Sequence, residues 1–347
     1  MAMGYSGFAQ FVDGGGSPIT LLTTSSGVNT NPNPILSQAA LGYGWSNAPD
    51  ASHYAEGVLV YQGGIGFDFQ AIDGVWGFIR DFAIYDRAQP KTLWYSPDGT
   101  RIYKYTANAN PLTDMSVPDD FTGAWCESLG FSTSADQLVT CNMNVIALAR
   151  TEDTLGFGYF SNVDGYLDGA HIAEFNATQP LNPPSGGTAL NTSPVPFWKT
   201  TAVVKINGVE QAGGSSSVQV MAWNANLANN TQVVKTCSGE RKAMCVVVGP
   251  MAVDGSVTLY APGGVWDPVF GHPIIAYHSQ FGVNILGDAK TYTLALPAIM
   301  LQGDDYSLNV GAPVSRTFNL KGLGGKVGGD FTAGASARIP PMYMSEV

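Results

Sequence analysis

Charged residues are scarce in this sequence: they make up 12% of it, against about 25% in a typical globular protein. Those present are unbalanced, with 27 acidic residues against 16 basic ones and a formal net charge of −11. Such a surface repels polyanions as a whole, which argues against a protein that grips nucleic acid or an anionic membrane. Any contact with DNA would have to be non-adhesive.

Motifs for catalysis and metal binding are also missing. The serine runs at 130–134 and 213–217 lack the second glycine of a nucleophile elbow, and Lys326 is followed by Val instead of the Ser or Thr of a P-loop. His272 and His278 have no nearby Cys or carboxylate that would complete a zinc site. The loop at 162–169 lacks the closing Glu of an EF-hand. The sequence therefore predicts no catalytic, cofactor-binding or metal-ligating residue, and a protein that is not an enzyme.

Signals for secretion and membrane insertion are absent from the printed chain. Its amino terminus has no basic segment followed by an apolar run, and the apolar stretch at 243–253 is short and contains Gly249 and Pro250. We expect a protein folded in a cytoplasm. The four cysteines form no CxxC pair, which favours buried free thiols at Cys126, Cys141, Cys237 and Cys245.

What the sequence does contain is apolar residues, at 45%, together with 42 glycines and 21 prolines. This composition is typical of many short strands joined by turns. Ile65, Phe67 and Phe69 alternate with polar residues, and residues 139–149 alternate in the same way, so each segment predicts a strand with one buried face. Further strands are predicted at 198–206, 218–227, 255–260, 291–297 and 315–320, with a turn at Asn207–Gly208.

Two local elements stand apart from these strands. The turn at 96–99 separates residues 92–95 from 102–105, which predicts a projecting hairpin. Residues 238–245 are the best candidate for a short helix, because Ser238 can act as its N-cap and Glu240 falls in the first turn.

The chain divides by composition into five segments. Residues 1–57 form an irregular arm rich in Gly, Ser, Asn and Pro, 58–153 a first β-module, and 154–195 a linker. A second β-module spans 196–320, and a glycine-rich arm spans 321–347. The last predicted strand ends at Leu320.

The two predicted modules contain similar stretches. Residues 223–230 and 246–260 give a strand, a polar turn and a returning strand, and residues 127–140 and 141–149 give a shorter version of the same pattern without the helix. A repeated unit indicates modular construction.

The segment 219–234, a short helix and then residues 247–260 resemble the core of bacteriophage tail tube (major tail) proteins. The resemblance implies a mainly β fold: a β-sandwich with a flanking helix, in two tandem copies, whose strands join those of neighbouring subunits into a closed β-barrel ring. It implies a structural virion protein of the tail, assembled in the host cytoplasm, whose stacked rings form the channel for DNA during genome ejection.

The partners implied by this resemblance are other copies of the chain, other tail proteins and double-stranded DNA passing non-specifically through the lumen; no membrane is implied. Two modules per chain predict a trimeric ring with pseudo-sixfold symmetry. The arms and hairpins at 1–57, 81–105 and 321–347 are expected to contact adjacent rings, and carboxylates are expected to line the lumen and repel the DNA.

Two other functions remain open. One is a different virion protein, such as a capsid-decorating or distal tail component. The other is a carbohydrate-binding or hydrolytic β-protein that uses Trp94, Tyr95 and the nearby Asp residues. The aromatic residues Trp94, Tyr95, Tyr103 and Tyr105 fit a platform for sugar and equally a subunit contact, since interface cores favour Tyr and Trp.

Overall fold

The computed structural model describes the chain in segments. They are residues 8–12, 19–31, 35–36, 54–55, 58–71, 73–88, 91–96, 119–150, 194–214, 216–236, 243–260, 278–287, 290–307, 315–324 and 339–346. The second strand of the predicted 92–105 hairpin, most of the 154–195 linker, Cys237 and most of the predicted 238–245 helix lie outside these residues.

The protein is mainly β. Its strands are β1 (Phe8–Val12), β2 (Ile19–Asn31), β3 (Ile35–Leu36), β4 (Tyr54–Ala55), β5 (Val60–Asp68), β6 (Lys91–Ser96), β7 (Asp119–Ser134), β8 (Thr140–Arg150), β9 (Thr200–Ile206), β10 (Val209–Ala212), β11 (Gln219–Ala228), β12 (Gln232–Val234), β13 (Cys245–Val247), β14 (Ala252–Tyr260), β15 (Gln280–Leu286), β16 (Thr291–Leu296), β17 (Ile299–Ser307), β18 (Ser315–Gly322) and β19 (Tyr343–Glu346). One α-helix is described, α1 (Asp73–Arg80), and a π-helical turn follows at Asp81–Tyr85.

The large sheet takes strands from both halves of the chain. Its ten strands are antiparallel and follow the order β17-β18-β14-β11-β7-β6-β1-β2-β5-β8. Because β7 also pairs with β8, the strands β7, β6, β1, β2, β5 and β8 form a closed circuit of pairings. The two halves meet where β7 pairs with β11, with Phe131 opposite Ala225.

The small sheet comes entirely from the second half, in the order β10-β9-β15-β16-β19. One buried apolar cluster takes residues from both sheets and from α1. At its centre, the ring centroid of Trp76 lies 5.3 Å from the ring centroid of Tyr292 in the small sheet and 6.3 Å from that of Phe131 in the large sheet. The helix therefore joins the two sheets through shared apolar burial.

The predicted strand alternations are confirmed. Ile65, Phe67 and Phe69 are buried, and so are the odd-numbered residues from Val139 to Ala147, whereas Asn142 and Asn144 are exposed. The turn after β9 is also confirmed, since Asn207 and Gly208 have φ values of 52° and 82°, which suit a tight hairpin of the type I′ class.

The predicted 238–245 helix does not extend over its last three residues, and its other residues lie outside the described part of the chain. Ala243 and Met244 are not helical and Cys245 begins β13. The one α-helix among the described residues lies in the first half of the chain, within the predicted first β-module. Its two glycines, Gly74 and Gly77, lower its intrinsic helix propensity, but Trp76 and Ile79 are fully buried. Tertiary packing of this apolar face outweighs the local cost.

Both predicted arms contain strands, so the interpretation of residues 1–57 as an irregular segment was wrong. β1 and β2 lie within 1–57 and belong to the large sheet, while β19 lies within 321–347 and forms an edge of the small sheet by pairing with β16. Leu320 is therefore not the end of the last strand. These strands obtain their stability from distant partners, which a local pattern does not reveal.

Two of the cysteines are enclosed in the core. Cys126 and Cys141 are fully buried free thiols, as predicted, and Cys245 is a half-buried free thiol. Burial raises the pKa of the Cys126 thiol, and the same desolvation raises the pKa of the Cys141 thiol, since a thiolate would lose its hydration there. The Cys126 thiol lies 3.4 Å from the carbonyl oxygen of Ser128, to which it donates.

A buried asparagine ties the helical segment to both halves of the sheet. The Asn229 side chain is 0% exposed and its Nδ2 donates to the carbonyl oxygens of Ala83 and Cys126, at 3.0 Å each. Its Oδ1 accepts from Arg87, which also donates to the carbonyl of Gly249 at 2.9 Å. Asn229 therefore satisfies a carbonyl of the π-helical turn and one of β7 at the same time.

Replacing Asn229 tests whether its hydrogen bonds to the π-helical turn and to β7 stabilise the fold. Asn229→Ala removes the amide that donates to the carbonyls of Ala83 and Cys126, and at about 1–3 kcal/mol for each lost partner it is expected to lower the free energy of unfolding by about 2–6 kcal/mol. The exposed Asn226→Ala, three residues away, is the matched control and should change it by less than about 1 kcal/mol. Urea unfolding measures both, and equal losses would contradict the assignment.

The two buried thiols predict an alkaline loss of stability. Because the pKa of each thiol is raised in the folded state, the unfolded chain releases a thiol proton above about pH 9 while the native state retains it. The free energy of unfolding therefore keeps the full contribution of these thiols below that pH and decreases above it. Each thiol contributes a slope of about 1.4 kcal/mol per pH unit. Urea unfolding between pH 7 and 10 should give a shallower slope for Cys141→Ala, while the cavity control Val139→Ala keeps the wild-type slope at lower stability. An unchanged slope in Cys141→Ala would refute this linkage.

Candidate functional site

The candidate functional site is the face of the large sheet that points away from the core. We call it the polar face and define it by the outward-facing residues of six strands in sheet order. They are Asp68 on β5; Thr140, Asn142 and Asn144 on β8; Ser128 and Ser132 on β7; Asn224 and Asn226 on β11; Asp254, Ser256 and Thr258 on β14; and Thr317, Asn319 and Lys321 on β18.

Strand alternation produces this face. In β14, Val253, Val257 and Leu259 are fully buried in the core, and Asp254, Ser256 and Thr258 between them lie outside it. The register aligns such residues across strands: Ser132 is opposite both Thr140 and Asn224, and Asn224 is opposite Ser256. Hydroxyl and amide groups thus form continuous rows across neighbouring strands.

Side-chain hydrogen bonds connect the rows. Asn144 Nδ2 donates to Ser128 Oγ at 2.7 Å, and Asn224 Nδ2 donates to Ser256 Oγ at 2.5 Å. The hydroxyls of Ser132 and Thr140 are 2.9 Å apart, and so are those of Thr258 and Thr317. Asn226 Nδ2 also donates to Asn224 Oδ1 at 3.4 Å, so the hydrogen bonds connect neighbouring rows as well as residues within one row.

Two glycines give the asparagines room to lie over the strands. A Cβ added at Gly130 would be 2.5 Å from Asn226 Oδ1, and one at Gly64 would be 3.0 Å from Asn144 Oδ1. Gly130 lies directly opposite Asn226, and Gly64 directly opposite Asn144. Each amide therefore occupies space over the neighbouring strand that a side chain there would fill.

The polar face ends at an apolar boundary. Farther along β8 and β7, Ile146 and Trp125 are only 4% and 7% exposed, because they pack with Val60 and with Val246 of the β12–β13 ribbon. This ribbon covers the sheet beyond Asn144. It gives the wet surface a defined limit on that side.

The chemistry of the polar face is that of neutral hydrogen-bonding groups. Its charged members are Asp68, Asp254 and Lys321, and its remaining side chains are hydroxyls and amides, which do not titrate near neutral pH. Such groups hold water but do not supply a nucleophile with an adjacent base. Among the described residues no group of three His, Cys, Asp or Glu side chains is placed to hold a metal ion.

The aromatic residues considered for sugar binding are only partly described. Trp94 and Tyr95 lie on β6, between β1 and β7, and Tyr103 and Tyr105 lie outside the described residues. His272 and the 162–169 loop also lie outside them, and His278 lies just before β15.

Sequence reasoning did not identify the polar face as a site, although the signal was present. The residues alternating with Cys141, Met143 and Val145 are polar but uncharged, and the same holds for most of those alternating with Val253, Val257 and Leu259. Their lateral alignment depends on strand register, which the sequence alone does not supply.

Within the described part of the chain, α1 is too short and too weakly apolar to cross a bilayer.

Comparison with known proteins gives no family assignment: no protein-family model matches the chain, and no curated protein is similar to it in sequence. A function therefore has to be argued from the sheet and its polar face.

Gly130 on β7 and Gly255 on β14, the two strands that flank β11, test the difference between the two sides of the sheet. Gly130→Ala meets the tip of the Asn226 side chain, which can move, and should cost less than about 1 kcal/mol. Gly255→Ala meets the backbone carbonyl oxygen of Asn224 at 2.7 Å and should cost about 1–3 kcal/mol, because a paired strand cannot withdraw. Chemical denaturation measures the free energy of unfolding of both variants. A loss in Gly130→Ala that equals or exceeds the loss in Gly255→Ala would contradict the packing described for Asn226.

Proposed function

We propose that this chain is the repeating structural subunit of a bacteriophage tail tube, in which copies associate into rings and stacked rings conduct double-stranded DNA. The observation that carries the proposal is the broad antiparallel sheet with one face buried in the core and the other lined by neutral hydrogen-bonding side chains. A polyanion moves freely along a surface that offers few cations, because phosphate contacts by Lys and Arg are what hold DNA to protein. The sequence resemblance of residues 219–260 to tail tube proteins points to the same class.

Open sheet edges support association between copies. Among the described strands, β17 pairs only with β18. β2 pairs with β1 over residues 19–22 and with β5 over residues 23–31, so each of these two parts has a described partner on one side only. Unpaired backbone N–H and C=O groups along such edges are templates for pairing with another chain. Head-to-tail contacts of this kind close into rings when the rotation between subunits allows it.

The number of chains in a ring depends on how the two similar hairpins of one chain are related to each other. The prediction of three chains needs two modules related by rotation about the tube axis, with corresponding strands running in the same direction. Here the similar hairpins β7–β8 and β11–β14 are joined by the antiparallel pairing of β7 with β11. That relation is a local twofold, so a ring of six chains, each contributing one joint sheet, is the alternative that a count of subunits distinguishes.

Electron microscopy of the purified protein at high concentration tests the assembly. We expect hollow rings or tubes, with class averages down the axis showing three or six chains. Met300→Glu on β17, where Met300 is 44% exposed, should abolish them by charging the open edge. Leu286→Glu is the control, since Leu286 is 50% exposed but β15 is already paired on both sides.

A different assembly would favour the other virion functions. A closed particle or single ring without stacking fits a capsid-decorating or distal tail component. A monomer that binds oligosaccharides would replace the structural function with carbohydrate binding.

A further inference from the structure

One cation and one carboxylate lie side by side on the polar face. Lys321 on β18 is directly opposite Asp254 on β14 in the strand register, and Asp254 is exposed while Lys321 is half-buried. Residues directly opposite in an antiparallel pair have Cβ atoms about 4.5–5.5 Å apart. Side chains that start this close together can bring their charges within the screening length of about 8–10 Å at physiological salt, where each charge weakens the field of the other.

The surroundings of this pair are neutral. On the other side of Asp254 lies Asn226, which is opposite Gly130, which in turn is opposite Asn142. Within β18 the next outward residues are Asn319 and Thr317. Asp68, the remaining charged member of the polar face, lies four strands from β14 along the sheet through β11, β7 and β8 to β5. On β17 the residue opposite Lys321 is Met300, so Asp254 is the carboxylate among the two residues directly opposite Lys321.

We propose that Asp254 is a specificity-determining residue that keeps the polar face from adhering to polyanions, by cancelling the positive charge of Lys321. The inference rests on the proposed function, in which this face meets double-stranded DNA. An uncompensated lysine would form one phosphate contact per subunit and release counterions from the DNA. In a ring every subunit repeats that contact, so weak individual contacts add along the path of the DNA.

Asp254→Asn tests the proposal with a change that keeps the shape of the side chain. Asp136→Asn is the matched control: it removes the same charge from the exposed β7–β8 turn, away from the polar face, and its φ of 64° suits asparagine. The probe is a fluorescent double-stranded DNA of random sequence, and fluorescence anisotropy gives its affinity for the full chain between 50 and 200 mM NaCl. Thermal melting checks that each variant is folded.

We expect Asp254→Asn to bind this DNA roughly tenfold more tightly than the wild type and Asp136→Asn at 50 mM NaCl, with the difference shrinking as salt rises. The double variant Asp254→Asn/Lys321→Gln should return to the wild-type affinity. Equal gains in the two single variants would reduce the effect to net charge and overturn the proposal. No gain in either, or a gain that survives Lys321→Gln, would overturn it as well.

The assembly state of the same preparations separates this inference from the proposed function. Rings or tubes formed by an Asp254→Asn protein that does not bind DNA would overturn the role of Asp254 and leave the tube subunit standing. If Asp254→Asn binds the DNA more tightly in a way that depends on salt and on Lys321, but the protein forms no rings, the result would support the charge cancellation and count against the tail tube function.

Discussion

The pairing of β7 with β11 is the interaction on which the rest of the structure depends. It joins strands from the two halves of the chain over Ser128–Ser134 and Ala222–Ala228, and it makes one sheet from hairpins that would otherwise each expose an edge. The core depends on it too, because Leu129 and Phe131 on β7 pack in the same cluster as Trp223 and Leu227 on β11. Asn229, immediately after β11, then anchors this junction to the π-helical turn.

The register of this junction also determines the chemistry of the exposed side. Because side chains alternate with a period of two, a shift of one residue in β11 would move Asn224 and Asn226 into the core and Trp223 and Ala225 out of it. Burial of apolar residues therefore specifies the polar face indirectly. Asn226 lies over Gly130 in this register, and a side chain at position 130 would displace its amide.

Strands with strong alternation could be predicted from the sequence, and those stabilised by distant partners could not. Residues 65–69 and 139–147 carry their own signal, and the structure confirms both buried faces. β1 and β2 lie in glycine- and asparagine-rich sequence, and their strand conformation depends on pairing with β6 and β5, far along the chain. α1 contains Gly74 and Gly77, so its helical conformation depends on the burial of Trp76 and Ile79 between the sheets. The polar face combines strands separated by more than two hundred residues, from Asp68 to Lys321, and only the topology brings them together.

The polar face is much less acidic than the net charge of the whole chain would suggest, which bears on how DNA would pass through the proposed tube. The whole chain carries 27 acidic and 16 basic residues, and from this excess alone one expects a lumen lined by carboxylates. The polar face instead carries Asp68 and Asp254 against Lys321, among hydroxyl and amide groups. Repulsion from such a face is weak. Low adhesion would then come from the near absence of cations and from side chains that already share hydrogen bonds with one another and with water, so that a passing phosphate gains little by displacing them.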